Sequence, residues 1–269
     1  MSGACPACGL TTYALVLRLP GARVERCQGC GLGRTVPPPA EADGREHFAA
    51  DPAYFRDALA EPKDRWWHRF QEAPLEMLVG AGAPPGARLL DVGCNVGYLV
   101  AAASARGFRA HGLDGSAAAV AVGRERLGVD VRCARLHARA VDEASEDVVV
   151  FNHVLEHLPD PGAALRAAAG WLRPNGWLLV GVPNFASPLA RAAGARWAGL
   201  VPEQHVWHFT PTALRRLVRA AGFTRVRWRT CMLMYAPRSL PQWSRWLLRR
   251  ALEPLRLADN LLLVARRPA

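Results

Sequence analysis

The sequence has little lysine and no long apolar run. Lys63 is the only lysine among 34 lysine and arginine residues, so arginine carries the basic character. No stretch approaches the roughly 20 uncharged apolar residues that a bilayer-spanning helix needs. The N-terminus also lacks a basic segment followed by an apolar one. These absences argue against a membrane-spanning helix and a secretory leader, and they predict a cytoplasmic location.

The net charge of +11 is concentrated in one region. Residues 211–269 contain thirteen arginines and two acidic residues, so the rest of the chain is neutral overall. A basic region can attract phosphate-bearing substrates, anionic lipid headgroups or RNA. Within it, residues 240–257 form a basic amphipathic pattern with two tryptophans. We favour a lid that packs on the sheet; the alternative is an arginine-rich helix in peripheral contact with a membrane surface or an anionic substrate.

Seven cysteines are present, and their placement does not suggest a disulfide framework. Four of them form C-x2-C-x18-C-x2-C, the spacing typical of a four-thiolate zinc site: Cys5, Cys8, Cys27 and Cys30. A glycine follows the second cysteine of each pair, as a tight turn requires. Because a segment this short buries little apolar core, a bound metal would supply most of its folding free energy. We predict a structural Zn²⁺ ribbon over residues 1–36; the alternative is metal-free or redox-active thiol pairs.

Short apolar strands alternate with alanine-rich helices from residue 86 onward. Such alternation builds βαβ units and a parallel sheet. The sequence therefore predicts an α/β fold over residues 86–269, with a doubly wound, mostly parallel sheet of seven strands and insertions near 186–210 and 235–257. Residues 37–85 are predicted to be a proline-rich linker and a helical segment. A helical segment is predicted over 52–79, and its buried stripe would consist of Trp66, Trp67, Phe70 and Leu78. Further helices are predicted over 97–106, 116–127, 161–172 and the segment capped by Thr210.

The stretch LLDVGCNVGYLV, residues 89–100, runs from an apolar strand directly into a turn. Small or turn-tolerant residues at alternate positions let the backbone bend sharply and approach a ligand. Ligands of open α/β sheets bind at the carboxyl ends of the strands, and Asp114 ends the next strand, where a carboxylate can accept both hydroxyls of a ribose. Asp91, before the first glycine, would repel a pyrophosphate and suit an ammonium group. The pattern predicts a nucleoside-containing cofactor.

These stretches resemble those of class I S-adenosylmethionine-dependent methyltransferases, as do DVVVFNHVLEHLPDP, LRPNGWLLVGVPN and HVWHFTPTALRRLVRAAGF. The resemblance covers nearly the whole chain and is closest to bacterial enzymes for small molecules or saccharides, which often carry a zinc ribbon. It implies that the first acid and the glycines hold the methionine part of the cofactor and that the second acid holds the ribose. The cofactor residues it implies are Asp91, Gly93, Cys94, Asn95, Gly97, Tyr98, Asp114, Gly115, Ser116, Arg135, Leu136, Asn152 and His153.

Two positions depart from the family's pattern. Asn95 stands where a middle glycine is commoner, and its tolerance of left-handed conformations permits the change. The loop after the third strand lacks the acid that often meets the adenine amino group. Ala134, Arg135 and Leu136 are therefore the predicted neighbours of the adenine.

Methyl transfer mainly requires alignment of the nucleophile with the methyl group, but an oxygen nucleophile can also require a base. His205 is the first candidate, His153 the second and His208 a further one; the alternative is that these imidazoles are hydrogen-bonded structural residues. His153, Glu156 and His157 also suggest a metal site on one helical turn. The resemblance instead implies a structural role for Glu156 and His157 at a helix start.

The predicted function is methyl transfer to a small-molecule acceptor, with a hydroxyl of a secondary metabolite, saccharide or lipid precursor favoured. One alternative is an RNA methyltransferase that grips RNA with the ribbon and the arginine-rich C-terminus. The ribbon is barely basic and has no base-stacking array of aromatic residues, so nucleic acid is not an expected partner. The other alternative is a non-catalytic binding protein on the same fold. The oligomeric state is left open.

Overall fold

The computed structural model describes residues 3–39, 52–60, 65–232 and 242–269. Its strands are β1 (Tyr13–Leu19), β2 (Ala22–Cys27), β3 (Gly33–Val36), β4 (Arg88–Val92), β5 (Arg109–Asp114), β6 (Val131–Cys133), β7 (Glu146–Asn152), β8 (Leu172–Pro183), β9 (Trp207–His208), β10 (Thr224–Cys231) and β11 (Asn260–Arg266). Its helices are α1 (Pro52–Ala60), α2 (Arg65–Gly80), α3 (Tyr98–Ala105), α4 (Ala117–Leu127), α5 (Pro161–Trp171), α6 (Pro188–Ala193), α7 (Pro211–Ala220) and α8 (Gln242–Leu252).

Seven strands form the larger sheet in the order β6-β5-β4-β7-β8-β11-β10. Strands β4 to β8 pair in parallel, and β11 runs antiparallel to both of its neighbours. The predicted α/β fold with a mostly parallel seven-stranded sheet is therefore confirmed. The chain order reverses between β4 and β7, which opens a crevice at the carboxyl ends of these two strands, the usual ligand site of such sheets.

The central strands are apolar on both faces because helices cover the sheet from both sides. In β7, the four residues from Val148 to Phe151 are fully buried. Helices α3, α4 and α5 lie within a residue or two of their predicted bounds. Side-chain caps mark the starts of α4, α5 and α7, where Ser116, Asp160 and Thr210 each accept the N–H three residues later.

The predicted helical segment 52–79 corresponds to α1 and α2, on either side of residues outside the description. Leu78 is fully buried and Phe70 is half-buried, as the predicted stripe requires. The side chains of Trp66 and Trp67 lie outside the described residues. The two stripe residues whose side chains are described, Phe70 and Leu78, therefore face the core.

A smaller antiparallel sheet has the order β1-β2-β3-β9. Its first three strands come from the predicted ribbon, and β9 comes from the insertion predicted near 186–210. Gly33 pairs with His208 and Arg34 with Trp207, so the insertion extends the ribbon's sheet. Leu32 of the ribbon and Leu214 of α7 belong to one buried cluster. The ribbon thus packs directly against the larger sheet's helices.

Helix α8 falls in the predicted insertion near 235–257, of which residues 233–241 lie outside the description, as do the side chains of Trp243, Arg245 and Trp246. Leu248 and Leu252 pack against Met232 and Ala258, while Leu247 is exposed. One side of the helix therefore contacts the protein. Within the part of the chain that is described, no helix is both long and apolar enough to cross a bilayer.

Candidate cofactor and catalytic site

The turn after β4 has the left-handed backbone that its residue types predict. Gly93, Asn95 and Gly97 have φ values of 71°, 53° and 87°. A Cβ on Gly93 would lie 2.6 Å from Val154 Cγ2, and one on Gly97 would lie 2.8 Å from Val129 Cγ2. The two glycines are therefore fixed by close neighbours as well as by φ. Asn95 takes the middle position at the φ expected of it.

Asp114 ties the ends of β4 and β5 together. Its Oδ2 accepts the Asn95 N–H at 2.8 Å, and its Oδ1 accepts the Ser116 N–H at 2.8 Å. Burial raises the pKa of Asp114, while these two N–H groups act to lower it. Each carboxylate oxygen keeps a further lone pair that can accept a ribose hydroxyl. Asp114 therefore braces the turn and keeps lone pairs that could accept hydrogen bonds from a ligand.

Asp91 places a second carboxyl group beside the first. Burial and then the charge of Asp114 raise the pKa of Asp91 well above its usual range. Across residues 3–39, 52–60, 65–232 and 242–269, neither acid forms an ion pair. A cationic ligand would relieve the repulsion between the two carboxylates. This environment fits the sulfonium and ammonium groups of S-adenosylmethionine.

The other residues predicted to contact the cofactor lie either at the turn and the start of α3 or in the loop after β6. The Cys94 side chain lies in an apolar cluster with Val100 and Val131, so its backbone alone belongs to the turn. Tyr98 begins α3 and packs against the buried cluster that contains Phe55. In the loop after β6, the Ala134 N–H donates to the Asp114 carbonyl oxygen at 2.9 Å. That bond places the segment with the exposed Arg135 and the half-buried Leu136 next to the second acid.

His153 lies directly after β7, with a left-handed φ of 59°. Its Nδ1 is 3.2 Å from Glu156 Oε1, and its ring contacts Phe70 of α2 at a centroid distance of 4.6 Å. Burial alone would raise the pKa of Glu156, but the contact with His153 and the charges of the neighbouring histidines outweigh it and lower that pKa to about 2. An ionised carboxylate therefore orients this imidazole. The neighbouring Asn152 donates from Nδ2 to the Phe70 carbonyl oxygen at 3.5 Å.

His205 and His208 are both buried. Burial lowers the pKa of His205 to about 4 and that of His208 to about 3. The Thr35 hydroxyl donates to the His205 carbonyl oxygen at 2.7 Å and lies 3.0 Å from His208 Nε2. The rings of His157 and His205 meet at 4.7 Å. The structure thus brings the predicted histidines together around Glu156.

The prediction that Glu156 and His157 begin a helix is wrong. They lie in a turn over residues 155–157, and α5 begins only at Pro161, behind its cap Asp160. Two backbone N–H groups from the distant residues Val206 and Trp207 donate to the Glu156 carbonyl oxygen, which holds this segment out of a helix. No sequence signal marked Thr35 or Phe70 as neighbours of the histidines, because those contacts join segments far apart in the chain.

The four paired cysteines form a compact cluster in the ribbon. The Sγ atoms of Cys5 and Cys30 are 3.5 Å apart, as are those of Cys8 and Cys27, and all four lie within 4.8 Å of one another. No disulfide joins them. The two turns match, since the glycine after each second cysteine has a positive φ and donates to the first cysteine's carbonyl oxygen. A sulfur-only set of this size fits tetrahedral Zn²⁺.

The cofactor turn and His153 share the crevice at the switch point of the sheet. Gly93 approaches Val154, the residue after His153, so the turn and the segment beyond β7 pack on one another. The cysteine cluster lies on the ribbon and is separate from this crevice. Thr35 of the ribbon contacts both His205 and His208, and the His205 ring meets that of His157.

Comparison with known proteins agrees with this geometry. A family model described as a methyltransferase domain matches residues 55–227. A ubiquinone biosynthesis O-methyltransferase of Aromatoleum aromaticum is 31% identical over 194 residues, which cover 64% of this chain and 82% of the relative. A protein of the same name from Xanthomonas axonopodis is 33% identical over 188 residues, covering 62% and 78%.

A solved structure shows the same fold. The 1,6-didemethyltoxoflavin-N1-methyltransferase of Burkholderia thailandensis, with bound 1,6-didemethyltoxoflavin and S-adenosylhomocysteine, aligns with a TM-score of 0.56 and 20% identity. The alignment covers 95% of this chain and 99% of that one. The family match includes both acids, the glycine turn and His153. The chain belongs to the S-adenosylmethionine-dependent methyltransferases.

Proposed function

We propose that this methyltransferase methylates a hydroxyl group of a small-molecule acceptor. The observation that carries the proposal is the pair of His153 and Glu156 beside the cofactor turn, because a hydroxyl nucleophile must lose its proton and a positioned base can accept it. The relatives named ubiquinone biosynthesis O-methyltransferase support oxygen as the methylated atom. The acceptor we propose is a hydroxylated secondary metabolite, saccharide or lipid precursor.

In this proposal, the cofactor end of the crevice binds S-adenosylmethionine and orients it. When bound, S-adenosylmethionine supplies a methyl group already activated by a sulfonium. Asp114 would hold the ribose hydroxyls with the lone pairs that its two N–H bonds leave available. Asp91 would stabilise the cationic end electrostatically, and the loop with Arg135 and Leu136 would cover the adenine.

In this proposal His153 is the base. Its Nδ1 faces Glu156, so Nε2 would carry the lone pair that accepts the acceptor's hydroxyl proton. The buried carboxylate then stabilises the imidazolium that forms. Burial makes His205 a weak base, with a pKa of about 4. We therefore place His153 ahead of His205, the reverse of the order that the sequence suggested.

We also propose that the four cysteines of the ribbon hold a structural Zn²⁺. Four thiolates complete a tetrahedral shell and leave no open position for water or substrate. Thr210, the cap of α7, donates to the Cys30 carbonyl oxygen at 3.2 Å. The metal would therefore brace the ribbon against the catalytic part of the chain.

Calorimetric titration with S-adenosylhomocysteine tests the cofactor site. We expect Asp114→Ala to weaken binding by at least about 100-fold, since charge-assisted hydrogen bonds contribute about 1.5–3 kcal/mol each. The matched control is Glu143→Ala, which removes an exposed acid near the amino end of β7. Equal affinities of the Asp114→Ala variant and the intact protein would contradict the assignment. Mass spectrometry of hydroxylated acceptors after turnover then tests the oxygen preference.

A further inference from the structure

A second group of metal-ligating side chains lies apart from the cysteines. Glu156, His157 and His205 each offer one ligand atom, and these atoms lie within 4.8 Å of one another. The group joins two distant segments, because the Val206 and Trp207 N–H groups donate to the Glu156 carbonyl oxygen at 2.8 and 3.1 Å. The backbone therefore holds the ligand-bearing segments together without any metal.

The carboxylate of Glu156 is almost completely buried, at 1% exposure. Its Oε2 has no hydrogen-bond partner in the described part of the chain, and Oε1 has the 3.2 Å contact with His153 Nδ1. A buried carboxylate oxygen that accepts no hydrogen bond carries a large desolvation cost. A cation at Oε2 would remove that cost and would leave the contact with His153 in place.

The His157 imidazole is held in the way that a metal-ligating histidine is held. His157 Nδ1 lies 3.3 Å from the Gln204 carbonyl oxygen, an acceptor, so Nδ1 carries the proton and Nε2 the lone pair. His205 Nδ1 is also buried, and it has no hydrogen-bond partner among the described residues. Ligating histidines typically donate their second N–H to a backbone carbonyl, which fixes the ring and its tautomer.

We propose that Glu156, His157 and His205 bind a divalent transition-metal ion, Zn²⁺ by their donor set. Two imidazole nitrogens and one carboxylate oxygen suit Zn²⁺, whereas Ca²⁺ and Mg²⁺ favour oxygen ligands. The site is separate from the ribbon, and it does not depend on which acceptor is methylated. Glu156 bridges the metal and His153, so the ion lies behind the base and supports the segment that carries it.

Metal content tests the proposal. The full-length protein and its variants are equilibrated with Zn²⁺, freed of loose ions by gel filtration and analysed for zinc per chain. We expect Glu156→Gln and His205→Ala each to hold one equivalent less than the intact protein. The matched control is Glu146→Gln, another buried glutamate, whose partner His111 lies 3.3 Å away; the described residues add no second histidine there, and this variant should lose no zinc. Equal zinc in the intact protein and folded Glu156→Gln would overturn the proposal.

A measurement on the intact protein decides the matter even where the variants fail to fold. X-ray absorption at the zinc edge distinguishes sulfur from nitrogen and oxygen neighbours. We expect nitrogen and oxygen neighbours in addition to the sulfur that the ribbon would contribute. A spectrum of sulfur neighbours alone would overturn the second site while leaving the ribbon and the methyltransferase function untouched.

Discussion

The cofactor turn and the histidine cluster meet in one crevice but are built in different ways. The turn is local, since the Asn95 N–H and the Asp114 carboxylate that it contacts are 19 residues apart. Its binding groups are held mainly by backbone geometry at Gly93, Asn95 and Gly97. The cluster is assembled over long distances, since His157 and Gln204 are 47 residues apart and Thr35 and His208 are 173 apart.

This difference determines how each region responds to change. In the turn, a substitution is costly where a new Cβ meets a neighbour or where φ is positive, whatever the chemistry of the side chain. In the cluster, the chemistry of each side chain decides the outcome, because buried carboxylate and imidazole groups depend on one another for partners. Substitutions of the glycines should therefore change mainly the free energy of unfolding. Substitutions of the histidines should change mainly the activity or its pH dependence.

The largest expected effect is on turnover, from His153→Gln. Loss of a general base typically costs about 10²–10⁴-fold in rate, so we expect kcat to fall by that range. The affinity for S-adenosylhomocysteine should change far less, since the turn is intact. Steady-state kinetics with an accepted hydroxyl substrate gives the measurement, and His111→Gln, which alters a buried histidine at the other end of the sheet, is the control. A kcat within about 3-fold of the intact enzyme would contradict the assignment of the base.

The next effect is on stability, from Gly97→Ala. Its φ of 87° strains any L-residue, and the new Cβ would lie 2.8 Å from Val129 Cγ2. We expect the free energy of unfolding to fall by about 2–3 kcal/mol, from left-handed strain and overpacking together. Gly115→Ala is the control, because it has open space around it and no positive φ. Urea denaturation compares the two, and equal losses would refute the steric account of the turn.

The smallest expected effect is a pH dependence of the free energy of unfolding, caused by the titration of His208. Burial lowers the pKa of His208 to about 3 from an ordinary value of 6.5. The unfolded state therefore binds more protons between these values, and stability is lost as the pH falls from about 6.5 toward about 3. Between about pH 7.5 and about pH 5, we expect the intact protein to lose about 2 kcal/mol more unfolding free energy than His208→Gln. Parallel curves for the two proteins would show that His208 does not contribute.

Local patterns allowed much of the fold to be predicted. The start of α4 near Ser116, the Thr210 cap, the left-handed Asn95 and the tight glycine turns after the cysteine pairs each depend on residues a few positions apart. The error at Glu156 has the opposite cause. Its turn is set by N–H groups from residues 206 and 207, and no local pattern contains that information.

The same reason explains what the sequence could not provide for the site. Composition and spacing identified the histidines but could not say which of them faces a buried carboxylate. Phe70 and Thr35 become parts of the site only through packing between segments that are remote in the chain. The pairing of β9 with the ribbon sheet also needs the folded structure, because two residues are too short for a strand pattern.

Through that pairing the ribbon packs directly against the segment that carries His205 and His208. Strand β3 covers the open edge of β9, and Thr35 reaches from it to hold both His205 and His208. A protein trimmed of its first 36 residues would present an unpaired strand edge to water and would remove the Thr35 contacts to His205 and His208. Under the proposed function, a ribbon of different sequence would therefore change the surroundings of His205 and His208 and, with them, the acceptors that the crevice admits.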